Sequence, residues 1–204
     1  MDEKSPIPSS GAAMGERAKA ILKSPTAEWP RIAAEGDNWK AAFTGYAMPL
    51  AAIAPVCSLI GLQLFGFGYL GMSYRPPLMG LITSTIVDYV LALAGLFVAA
   101  FVANYLSPKF GGKESWPKAF RLVVYAMTAA WLAGIFNLVP MLSVLTILGL
   151  YSIYLLYTGC GPMMGIPKDK AVTYTAATVL VVIVVMIVIS AISVVLSGGP
   201  AMGM

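Results

Sequence analysis

The 204-residue chain is 59% apolar and 11% charged, with a mean hydropathy of +0.82, a composition that excludes an ordinary soluble domain. Its 13 basic and 9 acidic residues sum to +4, but the cations sit in loops and the amino-terminal segment rather than in a stripe interleaved with aromatics, so no nucleic-acid partner is expected. There is no histidine, and Cys57 and Cys160 are far apart, which speaks against zinc and disulfide frameworks and against Ser-His or Cys-His nucleophiles; neither an enzyme nor a cofactor is expected.

Residues 1–40 carry no apolar core of signal-peptide length and read as a cytoplasmic tail. Within it Met14, Ala18, Ile21 and Leu22 fall at helical spacing, with Arg17, Lys19 and Lys23 around them. That pattern predicts an amphipathic helix lying on an anionic membrane surface. Ser24-Pro25 then reads as an N-cap and first helical position of a short second turn ending near Pro30. Trp29 and Trp39 suit the membrane interface, where an indole buries its ring and keeps its N–H wet.

Residues 41–197 read as a membrane domain with five spans, over about 41–64, 78–105, 119–139, 141–157 and 172–196, followed by a short outer tail, 198–204. The first span holds Pro49 and Pro55, each of which frees a backbone carbonyl and bends the helix. The second holds Asp88, the sole carboxylate within any span, about 15 Å along the helix from Leu78 at ~1.5 Å per residue. A charge at that depth costs about 3 kcal/mol, so a hydroxyl or the Asn137 amide is the expected partner; the alternatives are a proton- or polar-solute site and a neutral carboxyl bridging two helices. Gly95, Ala99 and Ala103 form a small-residue stripe on the same span, and Ala126, Ala130 and Gly134 form another on the third. Such stripes permit close helix packing, so the two are expected to face each other or a second protomer.

Between these spans lies a polar loop with Lys109, Lys113, Lys118 and Arg121; its Gly111-Gly112 lacks the context of a phosphate loop. The third and fourth spans form a hairpin that turns at residues 137–140, and the fourth carries Tyr151, Tyr154 and Tyr157 toward Lys168 and Lys170. With the amino terminus inside, every cation but Arg75 falls on the inner side, so the chain reads as an all-α integral membrane protein, N-in and C-out. Arg17, Lys19, Lys23, Trp29, Lys109, Lys113, Lys118, Arg121, Lys168 and Lys170 form the expected lipid or partner surface.

The stretches "FGGKESWPKAFRLVVYAMTAAWLAGIFNLVP" and "LGLYSIYLLYTGCGPMMGIPKDKAVTYT", with "ILKSPTAEWPRIAAE" more loosely, resemble the Ypt-interacting-protein (Yip) domain family, in particular its bacterial branch. The resemblance runs from Ile21 into the last span and implies five spans in a bacterial cytoplasmic membrane. Eukaryotic relatives bind prenylated Rab-type GTPases and act in vesicle traffic or membrane shaping. The bacterial branch has no assigned activity; the amphipathic tail, lysine loops and small-residue stripes lead to the expectation of a scaffold or adaptor contacting lipids and a protein partner or a second copy, and the alternative reading is a transporter, channel or scramblase using Asp88 and the kinked first span.

Overall fold

A computed structural model describes residues 11–69 and 72–196. Two short helices, α1 (Gly11–Lys23) and α2 (Pro25–Ala34), precede four helices long and apolar enough to cross a membrane. These are α3 (Trp39–Phe65), α4 (Leu78–Phe110), α5 (Trp116–Leu138) and α6 (Pro140–Met164). The last element is α7 (Lys168–Leu196), a helix of 29 residues. The connector after α3 contains a small antiparallel hairpin, β1 (Phe67–Tyr69) with β2 (Met72–Tyr74), in which Gly68 pairs with Ser73. The outer tail 198–204 and Lys4 lie outside the described residues.

Prolines shape α3. Pro49 has no N–H to give, and the helix widens just before it into a π turn over Phe43–Ala47, closed by the Met48 N–H on the Phe43 carbonyl. Pro55 likewise removes the donor that the Ala51 carbonyl would receive, and a turn at Ala52 interrupts the helix there. By contrast, α2 runs through Pro30 to Ala34 and does not end near Pro30. Thr26, whose carbonyl loses its helical donor, and Pro30 are both on the exposed face, where solvent can serve the freed acceptor.

The third helix is the centre of the molecule. In α5, 72% of the most apolar window is buried, against 17–28% in the other three candidate spans. Phe120, Leu122, Val124 and Tyr125 are fully enclosed. Around its start, Trp39, Phe43, Phe97, Trp116 and Phe120 meet largely edge to face with centroids 5.0–6.5 Å apart, a geometry favoured by the aromatic quadrupole. The hairpin turn is tighter than an α-helical one: Gly134–Leu138 is a 3₁₀ turn, Val139 is extended, and Pro140–Leu150 continues as 11 residues of 3₁₀ helix. Such runs rarely exceed about 3–4 residues, and this one has no buried residue to tighten it against the bundle.

The loop between α4 and α5 is pinned to the end of α6. Ser107 is buried and donates to the Lys113 carbonyl, the Lys113 N–H donates to the Met164 carbonyl at 2.8 Å, and the Asn104 side chain bridges the Ser115 N–H and Glu114. A Cβ on Gly112 would lie 2.5 Å from Ile166 Cδ1 and 2.7 Å from the Met164 carbonyl oxygen, so this loop closes only on glycine.

Candidate functional site

The apolar faces of the amino-terminal helices meet protein. They are docked on the bundle. Ala18 and Ile21 of α1 and Trp29 and Ile32 of α2 join the core formed by α3 to α7. The apolar face that the sequence assigns to lipid therefore covers protein, and burying an indole and an isoleucine contributes about 1.5–3 kcal/mol each.

Three residues expected at a lipid or partner surface are corrected by this arrangement. Trp29 is fully buried, with its Nε1 donating to Thr158 Oγ1 at 3.1 Å and its ring against Gly159 of α6, where an added Cβ would sit 2.5 Å from Trp29 Cε2. Arg17 has a side chain only 9% exposed and reaches the carboxylates of Glu28, at 2.5 Å, and Glu35. Arg121 is wholly buried: it donates to the carbonyls of Ile32, Glu35 and Gly36 and reaches Glu35 Oε2 at 3.2 Å. The result is one buried chain of charge, Glu28–Arg17–Glu35–Arg121, that ties α1, α2 and the turn after α2 to the central helix.

The electrostatics of this chain follow from burial and opposition of sign. Burial works against the Arg17 guanidinium, but Glu35 and Glu28 outweigh it and its pKa ends above the ordinary value. For Glu35 burial is the strongest influence and raises the carboxyl above its ordinary value, although Arg17 and Arg121 pull part of the shift back. Glu28 and Glu35 are site residues that reasoning from the sequence misses. Their signal is the spacing Glu28, Ile32, Glu35, which puts both carboxylates and an isoleucine on one helical face.

The remaining cations do face outward. Lys19, Lys23, Lys109, Lys113, Lys168 and Lys170 are exposed and Lys118 is half-buried. Lys109 lies 4.0 Å over the Tyr105 ring, and Lys113 and Lys170 belong to segments that meet where Gly111 approaches Pro167.

The small-residue stripes are split among neighbours. Gly95, Ala99, Ala126 and Ala130 line one apolar cavity of 230 Å³, together with Gly149 and residues of α7. Ala103 is fully buried, and its carbonyl accepts from the Tyr174 hydroxyl at 2.8 Å, so α4 also packs on α7. Gly134 faces α3 rather than α4: a Cβ there would fall 2.4 Å from Ala54 Cβ. Asp88 and Asn137 are likewise separated. Asp88 lines a cavity of 390 Å³ with Ser58, Ser84, Thr85 and Trp131, whereas Asn137 lines a cavity of 690 Å³ at the hairpin turn with Ser58, Ser143 and Pro140.

These features define a polytopic helical membrane protein whose amino-terminal segment is packed into, rather than laid beside, its membrane domain. The chain belongs to the Yip1 domain family, whose profile matches residues 19–189. It is similar to the inner membrane protein YohC of Escherichia coli strain K12, 24% identical over 187 residues, which covers 87% of this chain and 94% of that protein. YohC of E. coli O6:H1 strain CFT073 matches to the same extent. No solved structure matches. Several apolar helices of spanning length and relatives named as inner membrane proteins agree on a bacterial inner membrane.

Proposed function

We propose that this protein is a five-span, N-in/C-out scaffold of the inner membrane that organises a membrane complex without catalysing a reaction. The observation that carries the reading is the docked amino-terminal segment: Glu28, Arg17 and Glu35 are spent on the buried chain of charge that reaches Arg121 of α5, while Lys19, paired with exposed Glu16 at 3.0 Å, and Lys23 face outward beside the bundle. The other exposed lysines, in the α4–α5 and α6–α7 connections, add a cationic surface of the kind that anionic lipids or an acidic partner would engage. Supporting the fifth span, α7 is about 43 Å long at ~1.5 Å per residue and leaves Leu180, Ile183, Val184, Ile187 and Val188 exposed, as a lipid-facing helix would. The cation distribution supports N-in, since all but Arg75 then fall inside.

The test is native mass spectrometry of the protein extracted with its surrounding lipid. A stoichiometric partner, a homo-oligomer or retained anionic lipid is expected, and reversal of Lys19, Lys23, Lys109 and Lys113 to glutamate should remove it while the melting temperature holds. A lipid-free monomer in both forms would refute the scaffold reading.

A further inference from the structure

The cavity that the two small-residue stripes share sits among four helices. Gly95 and Ala99 of α4 and Ala126 of α5 form its buried floor, and α7 closes one side by packing along α4. Leu150 and Ile153 of α6 and Ile183 of α7 also line it, and these three are exposed, so the cavity has a mouth between α6 and α7. Ala126 and Thr178 each lie ten residues from the start of α5 and of α7, about 15 Å at ~1.5 Å per residue, which puts the cavity at hydrocarbon depth. What meets the mouth there is lipid chain and not headgroup.

The walls ask nothing polar of an occupant. Ser152 and Thr178 carry the only hydroxyls among the lining residues, and both are engaged within the bundle: Ser152 Oγ accepts from the Ala130 N–H at 3.0 Å, and the Thr178 hydroxyl donates to the Tyr174 carbonyl at 2.9 Å. An apolar cavity of about 150 Å³ stays dry and takes an apolar guest, and this one, at 230 Å³, is larger. Left empty, it would forfeit the dispersion contacts of its whole lining.

We propose that this cavity binds the methyl-terminal part of a phospholipid acyl chain, which enters from the bilayer between α6 and α7. Its volume suits a chain end of about eight carbons, since a methylene takes up about as much room as a water, roughly 30 Å³. Small side chains at Gly95, Ala99, Ala126 and Ala130 leave the slot open, and an unbranched chain fills it with no hydrogen bond to satisfy. A second copy of this protein is the poorer fit, because a helix about 10 Å across does not enter a slot of this volume. The site is independent of the docked tail, of the exposed lysines and of any protein partner, so it can fail while the scaffold reading stands.

The experiment uses the full-length protein in phosphatidylcholine nanodiscs that contain a trace of phosphatidylcholine with a diazirine at the methyl end of one acyl chain. After irradiation, adducts are mapped by peptide mass spectrometry. They are expected on the buried floor, at Ala99, Val123 and Ala126, as well as on the exposed face of α7 at Leu180, Ile187 and Val188. A diazirine placed beside the ester should leave the floor unlabelled. Ala126→Leu fills the slot, so it should abolish floor labelling, leave labelling at Leu180, Ile187 and Val188 unchanged, and hold or raise the melting temperature in detergent. No floor adducts in the parent, as a second copy seated over the mouth would give, floor labelling that survives Ala126→Leu, or equal floor labelling by the two diazirines would overturn the proposal. Should Ala126→Leu not fold, the comparison of the two diazirine positions decides it.

Discussion

Replacing Arg121 by methionine should release the amino-terminal segment while the spans stay folded. The substitution keeps an unbranched apolar stem but deletes a guanidinium that serves three backbone carbonyls and one carboxylate oxygen, all from residues Ile32 to Gly36. Removing one partner of a buried ion pair costs about 3–5 kcal/mol, because the charge left behind stays desolvated. Here Glu35 retains Arg17, which sets the expectation at the lower end, about 3 kcal/mol, or roughly a hundredfold rise in the open population at ~1.4 kcal/mol per decade. Each hydrogen bond that Arg121 makes to these residues joins α5 to the end of α2 and the turn after it, so local opening is the cheaper response. Trypsin reads this directly, since Lys19, Lys23 and Arg31 sit within helices that must open before they are cut. Cleavage at these sites should accelerate by about two orders of magnitude, with intact protein from α3 onward as the product. Lys23→Met, at an exposed position, should change docking by no more than about 0.5 kcal/mol. If Arg121→Met left the cleavage rate within threefold of the parent, the buried charge chain would not be what holds the segment.

Gly159→Ala should loosen the same interface from the other side by about 1–3 kcal/mol, because its Cβ would fall 2.5 Å from the Trp29 ring and 2.7 Å from Leu122 Cδ1; amide exchange in α2 should rise, and Trp29→Leu in the same chain should recover part of the loss. Gly61→Ala should lower the melting temperature of the whole domain, since the new Cβ would lie 2.5 and 2.6 Å from the backbone oxygens of Asn137 and Leu138, which cannot rotate away. Gly80→Ala, with open space around it in a helix, should leave that temperature unchanged or raise it by an amount worth up to about 1 kcal/mol. Docking should also depend on pH through Glu35: its carboxyl is raised in the docked state, so that state binds the proton more tightly than the undocked one. This contribution is complete below the ordinary carboxylate value, is lost as pH rises through the raised value and is flat above it, while Arg17 stays charged throughout. Exchange in α2, corrected for intrinsic rates, should therefore increase across that window; a decrease would mean that Arg17 and Arg121 outweigh burial.

The apolar runs are legible in the sequence because a bilayer demands length and hydropathy, and both are sums over many residues. The fate of individual charges is not legible, because that depends on which surfaces meet. Arg121 follows a polar loop, and its place in the chain groups it with the lysines there, yet it is the sixth residue of α5 and its neighbours Phe120 and Leu122 are fully buried. The α1 pattern is amphipathic, as its spacing predicts, but periodicity says only that a face is covered and not whether lipid or protein covers it. The stripes fail in the same way: Gly134 marks a close approach, and the partner that approaches is Ala54 of α3 rather than α4. The π turn before Pro49 and the break at Ala52 follow from proline chemistry, whereas nothing in the sequence from Pro140 to Leu150 foretells an 11-residue 3₁₀ helix.

Holding a tail by buried charge rather than by apolar contact alone has a consequence for any partner. An apolar seam can slip by small steps, each costing little, but a guanidinium such as Arg121 that leaves its carbonyls must carry all its donors into water together. On release the segment would present Ile21, Trp29 and Ile32 as a contiguous apolar face, with Glu28 and Glu35 now solvated along the same edge. A partner that binds this face gains what the bundle loses, so its apparent affinity is reduced by the fraction of chains in which the segment is free. Arg121→Met raises that fraction, and the same substitution that exposes the tryptic sites should therefore strengthen capture of such a partner by up to about a hundredfold. A partner that instead recognises the docked form would be lost in the same variant, so one substitution distinguishes which surface of this protein is read.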